Sequence, residues 1–366
     1  MTLVSKKIKS AQLKIYIYVD NAKPSDPQYT LKKTKISSED SVVFEISELV
    51  KDYIQIGYDV FNNPTDQATY VDLELERTFD DDTTSTENIN AIAFKGWGYQ
   101  EEGVNPELSK DVLISNRTII HSDRYPLRIP FYQEGDFKIA KVEYLNASDE
   151  VVETIKTTGT SQRLTADTER IRADYAFDLV KADTTHLTNE DANSIIGTDS
   201  VSGDITKIKY TRANGSIGEL TVVRTPECKY EPYRVTFANK FGVLQDIFFF
   251  KVRKDSTNIE RTSYKKSILT VNADGASFNT KTPQSNILNS NGQGTFRMNT
   301  GFLPEDYNKV ITELLLTEDC WITEDGDIKP VIPRTSTFEE KNSVNEKLIN
   351  FEVEFEYANG VIQSVR

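Results

Sequence analysis

The chain has 366 residues, of which 37% are hydrophobic, 27% charged and 10% aromatic, and it carries a net charge of −14. That length allows two domains with sizeable cores, and the composition excludes collagen-like and broadly disordered chains. The negative charge disfavours generic nucleic-acid binding, and no stretch approaches the roughly 20 apolar residues of a membrane-spanning helix.

The amino terminus, "MTLVSKKIKSAQLKIYIYVD", has no apolar run of signal-peptide length, so a chain made without an export signal is expected. Its basic "SKKIK" reads as a solvated arm, and "IYIYV" alternates like a strand. "SELVKDYIQI" (47–56) predicts a short helix with Ser47 as its cap. In "VDLELER", Val71, Leu73 and Leu75 share one face and Asp72, Glu74 and Glu76 the other, as in a sheet with one wet side. "FDDDTTSTEN" (79–88) is an acidic loop. Its Asp80, Asp81 and Asp82 offer oxygens suited to calcium, but without EF-hand spacing a solvated turn is expected.

"GWGYQEEG" (96–103) sets Trp97 and Tyr99 among glycines. Exposed, these rings would stack on a sugar or anchor an interface. Packed inward, they would mark a glycine-relieved bulge. Both readings stay open. The two histidines are His121 and His186. His121 and Asp123 resemble part of a catalytic triad, but no GxSxG turn supplies the nucleophile, so a structural histidine is expected. "DTERIRADYAFDLVKA" (167–182) is a candidate helix, and "NASDE" (146–150) a loose hairpin turn. Asn214-Gly215, between "ITKIKYTR" and "IGELTVV", predicts a two-residue hairpin, because both residues tolerate positive φ. A domain boundary is placed near Pro226, giving units 1–225 and 226–366. Cys228 and Cys320 lack CxxC spacing, so two half-buried thiols in a reducing compartment are expected.

Beyond the boundary, "YRVTFA" reads as a strand, "NKFG" as a turn and "VLQDIFFFKV" as the return strand. Phe248, Phe249 and Phe250 would cover both faces of a central strand, since burial on both sides removes the alternation. The segment from about 272 to 300, rich in Asn, Ser, Thr and Gly, reads as a long loop or extended arm. "PEDYNKVITELLL" (304–316) predicts a helix with Pro304 in its first turn and an apolar stripe of Val310, Ile311, Leu314 and Leu315. "TEDGD" (323–327) is another loose turn, and Asn359-Gly360 a second two-residue hairpin. In "NFEVEFEY", Phe351, Val353, Phe355 and Tyr357 oppose Glu352, Glu354 and Glu356. Glu352 and Glu354 lie about 6.6 Å apart, from two rises of roughly 3.3 Å, near glycosidase spacing. A catalytic pair also needs a cleft and a raised pKa, so a solvent face is expected. No phosphate-cradling glycine motif occurs.

The segments "YRVTFANKFGVLQDIFFFKV", "MNTGFLPEDYNKVITELLLTEDCWI" and "NEKLINFEVEFEYANGVIQSVR" resemble the closing part of a group of tailed-bacteriophage virion proteins. "YTLKK", "VVFEISELVKDYI" and "GWGYQEEGVNPELS" are similar to the same group. The resemblance implies a β-sandwich part of the tail, neck or baseplate, assembled in several copies and contributing no catalytic residue.

The expected fold is therefore mainly β: antiparallel β-sandwich, jelly-roll-like domains with a few short helices. The expected function is that of a virion structural protein, bound to other virion proteins and to copies of itself and assembled in the host cytoplasm. No catalytic, cofactor or metal residues, nucleic acid or membrane are expected. The alternative is a carbohydrate-binding adhesion module on Trp97 and Tyr99, with a β-rich glycosidase third. Deleting residues 276–296 is expected to leave a folded monomer that assembles poorly.

Overall fold

The structure is a computed structural model. It describes residues 7–18, 23–36, 41–58, 68–104, 106, 112–122, 125, 127–131, 139–156, 174–175, 205–225, 229–273, 275–337 and 348–362. The fold is mainly β and its sheets are largely antiparallel, as the period-2 alternation requires. The expected helix at 167–182 lies outside the described residues, as do His186, Asp123, Cys228 and the boundary at Pro226.

Strands β1 (Ile8–Tyr18), β2 (Tyr29–Thr34), β3 (Ala68–Phe79) and β4 (Thr84–Phe94) form an antiparallel sheet of order β2-β1-β3-β4. Its apolar row of Leu13, Ile15, Ile17 and Val71 packs with Val50 of the short helix α1 (Ser47–Lys51). Ser47 does not cap α1. The first N–H of the helix, and the Ser47 hydroxyl with it, donate instead to the Glu45 carboxylate, at 3.0 and 2.5 Å.

The second group comprises β5 (Thr118–His121), β6 (Pro130–Phe131), β7 (Ile139–Asn146), β8 (Val151–Lys156), β9 (Asp174–Tyr175), β10 (Ile205–Arg212) and β11 (Ile217–Arg224). Five of these make a sheet of order β5-β11-β10-β7-β8, in which β5 runs parallel to β11, while β6 pairs with β9. Val142, Tyr144, Ile208, Tyr210 and Leu220 supply much of its core.

The third group contains β12 (Tyr233–Ala238), β13 (Leu244–Phe249), β14 (Lys254–Lys265), β15 (Leu269–Asn272), β16 (Gly275–Phe278), β17 (Ser285–Pro304), β18 (Cys320–Glu324), β19 (Asp327–Pro333) and β20 (Leu348–Tyr357). Seven strands join in the order β13-β12-β18-β19-β20-β17-β14. Helix α2 (Tyr307–Leu316) lays Tyr307, Val310, Ile311 and Leu314 into the core beside Phe237, Phe249, Phe296 and Phe355. Pro304 is not in the first turn of α2. It ends β17 opposite Leu348, a strand end where the missing N–H is tolerated.

Five further expectations need correction. The "FFF" strand is not central: among the described residues β13 pairs only with β12, at one end of the sheet. It is nonetheless buried on both sides. Phe249 meets Phe355 edge-on at 5.6 Å, while Phe248 meets His121 and Tyr125 at 5.5 and 5.8 Å. Of the two readings of 272–300, the loop is overturned and the extended arm is not: the segment is largely strand, with β16 paired to β15 and β17 to β14 and β20.

Asn214-Gly215 does not make a two-residue turn. Arg212 N–H reaches Ser216 O at 2.9 Å across a three-residue loop, and only Gly215 takes positive φ (83°). The tight turn is at 325–326, where Asp325 (φ 52°) and Gly326 (φ 86°) link the paired Glu324 and Asp327. Among the described residues after Gly360 the chain does not fold back on β20; Val361 N–H donates to Gly292 O of β17 at 2.8 Å.

Candidate functional site

Trp97 and Tyr99 follow β4 and lie against the β12–β13 turn. Trp97 N–H donates to Lys240 O at 2.8 Å. The approach needs glycine on both sides: a Cβ on Gly96 would meet Lys240 O at 2.9 Å, and one on Gly242 would meet the 95–96 backbone at 2.5 Å. Both rings are half-buried. They meet edge to face, with centroids 5.0 Å apart and planes at 80°, and the Lys240 ammonium lies 5.5 Å from the Tyr99 ring and 3.1 Å from Glu102. Two rings set this way do not form one flat stacking platform. The segment thus joins the first sheet to the third, and Lys95 adds a 2.6 Å ion pair to Asp319.

The remaining sequence candidates lie apart. His121 is buried beside Phe248 at the end of β5. In the 79–83 turn, Asp82 pairs with Lys9 at 2.7 Å, and Asp81 accepts from the Thr83 N–H and hydroxyl. On the wet face of β20, Glu352 and Glu354 pair with Arg297 at 3.3 and 2.8 Å, and Glu356 with Arg334 at 2.6 Å. Cys320 is a buried free thiol whose pKa burial pushes up. Among the described residues, no three His, Cys, Asp or Glu side chains gather as a metal would require.

Three buried or half-buried polar groups were not anticipated from the sequence, and all of them join elements distant along the chain. Asp246 on β13 accepts from Arg128 at 2.8 and 2.5 Å and from Thr236 at 2.6 Å. Burial works to raise its pKa, but Arg128, Arg234 and these hydrogen bonds hold it below the ordinary value. Glu313 of α2 is fully buried; it accepts from the Ser115 hydroxyl and from Lys240 N–H at 3.3 Å. Here burial prevails and the pKa is raised. Arg253, just before β14, lies 4.2 Å from the Phe296 ring, 5.1 Å from Tyr233 and 6.0 Å from Tyr357, and it pairs with Glu324. Burial raises the Glu324 pKa, but Lys329, Tyr357 and Arg253 outweigh it and keep the carboxylate ionised.

Beyond Arg253 the packing stops. All twelve residues of β14, and all of β15 and β16, are exposed. β20 covers β17 from Thr295 onward, and the carboxy-terminal tail reaches back to Asn291 and Gly292. Among the described residues, 285–290 of β17 pair with β14 alone, so a two-stranded arm leaves the sheet. The signal for its tip was present in the sequence: Leu269 and Val271 alternate with polar residues, as do Ala276 and Phe278, around Asp274-Gly275. Compared with known proteins, the chain matches no family model and no curated protein.

Proposed function

We propose that this chain is a structural component of a tailed-phage virion, in the tail, neck or baseplate, acting through subunit–subunit contacts in a multi-copy assembly. Its partners are other virion proteins and copies of itself, and it is built into the particle in the host cytoplasm. The observation that carries this reading is the contrast within the third sheet. An aromatic core holds β12, β13, β17, β20 and α2 rigidly, and from the same sheet an exposed arm projects with apolar side chains in water. A rigid body bearing an exposed strand pair suits assembly by strand addition and apolar anchoring. The 80° set of the Trp97 and Tyr99 rings favours this reading over sugar stacking.

The test is direct. Particles purified from an infected host are examined for this chain by mass spectrometry, and a fixed stoichiometry to the other virion proteins is expected. Particles that contain none of it would end the proposal.

A further inference from the structure

The tip of the arm is an incomplete piece of structure. In β15 and β16, Leu269 is directly opposite Phe278 and Val271 opposite Ala276, so these four share one face, while Thr270 and Ser277 lie on the other. Leu269, Val271 and Phe278 are 64%, 78% and 63% exposed. An isolated two-stranded hairpin is marginal in water and gains stability when its apolar face is covered. Among the described residues nothing covers this one. Ile287 and Leu288 add further exposed apolar surface on β17.

Charge indicates the cover. Between residues 254 and 290, Lys254, Arg261, Lys265, Lys266 and Lys281 outnumber Asp255, Glu260 and Asp274, giving the arm +2 within a chain of −14 and leaving −16 on the remainder. Two arms therefore repel each other, whereas an arm is drawn to the acidic body of another molecule. The span from Ser285 to Ser290 alone covers roughly 17 Å, from five rises of about 3.4 Å, so the tip stands clear of its own sheet.

We propose that this arm docks onto a second copy of the chain, head to tail, with Leu269, Val271 and Phe278 seated on the acidic body of the next molecule and the lysines forming the rim. This rests on the multi-copy reading above and names the contact. Such a contact is heterologous, so it closes into rings or grows as filaments.

Size-exclusion chromatography with light scattering of the full chain tests it. The wild type is expected to self-associate, less so at high salt. Leu269→Ser/Val271→Ser/Phe278→Ser and, separately, Lys265→Glu/Lys266→Glu are expected to associate at least tenfold more weakly with unchanged circular dichroism. A third variant replaces residues 261–290 by Asn-Gly, closing the Glu260–Asn291 pair as a two-residue hairpin. This cut also corrects the 276–296 deletion, which would remove Phe296 from its stack on Phe355. Mixed with wild type, the armless chain still offers its body and is expected to shorten the oligomers. Exclusion of the armless chain from them would show arm-to-arm pairing and overturn the proposal. A wild type that stays monomeric at about 100 µM would also overturn it, and a monomer found in purified particles would leave the virion reading standing.

Discussion

The β12–β13 and β14–β17 hairpins lie at opposite ends of one seven-stranded sheet. Both have an edge strand with a single pairing partner among the described residues. β13 is buried on both faces, whereas β14 is exposed along its whole length. Edge position therefore does not decide exposure here. β13 is covered because the segment around His121 and Tyr125 lies over Phe248 and Arg128 reaches Asp246. β14 has no such cover among the described residues. An uncovered edge strand of twelve residues is normally a liability, and five charged side chains keep it soluble until a partner meets it.

The largest expected effect comes from breaking the covered hairpin. Phe249→Ala should lower unfolding free energy by about 3–5 kcal/mol in urea titration. In the dissociated chain, diluted below self-association, Phe278→Ala in the bare hairpin should change it by no more than about 0.5 kcal/mol. Equal effects under that dilution would mean that the arm is packed within its own subunit.

Next is Asp246→Asn, which removes the carboxylate that accepts from Arg128 and offsets the charge of the buried Arg234, and should cost about 3 kcal/mol. The pH dependence has a definite sign. Because its folded pKa is depressed, Asp246 contributes fully above the unfolded carboxylate pKa of about 3.9, and the contribution is lost as pH falls through the folded value. A variant that narrows its deficit in acid relative to wild type supports this.

Glu313 has the opposite sign and a smaller effect. Its folded pKa is raised, so its fold-favouring contribution is complete below the unfolded value and disappears as pH rises through the folded one. Glu313→Gln keeps an acceptor for Lys240 N–H, and the Ser115 hydroxyl can turn to accept. Stability should rise on the order of 1 kcal/mol at pH 7 and converge with wild type in acid. A Gln variant less stable than wild type at every pH would show that the carboxylate is held ionised.

Much of the fold was legible because it is written locally. Val71, Leu73 and Leu75 against Asp72, Glu74 and Glu76 specify a strand and its wet side, and the stripe of Val310, Ile311 and Leu314 specifies a helix. Turn type was less legible. Asn214-Gly215 reads as a two-residue hairpin and "TEDGD" as a looser turn, and the structure reverses them, because loop length is fixed by the register of the flanking strands, which the dipeptide does not contain. The 272–300 stretch reads as loop or extended arm because Asn and Gly are poor strand formers; its strands are held by pairing with β14, β15 and β20, which local composition does not contain.

The chain's own residues set a mainly β fold, the alternation of its strands, the placing of α2 and an aromatic run that has to be buried, because side-chain period and hydrophobicity act over a few residues. Only the tertiary structure decided that Phe248 is covered by His121 and Tyr125, that the 80° pair of Trp97 and Tyr99 rests on the turn carrying Lys240, and that β14 is left bare. Those outcomes depend on which surfaces meet across distant parts of the chain, and burial is a property of the pair that meets rather than of either segment alone.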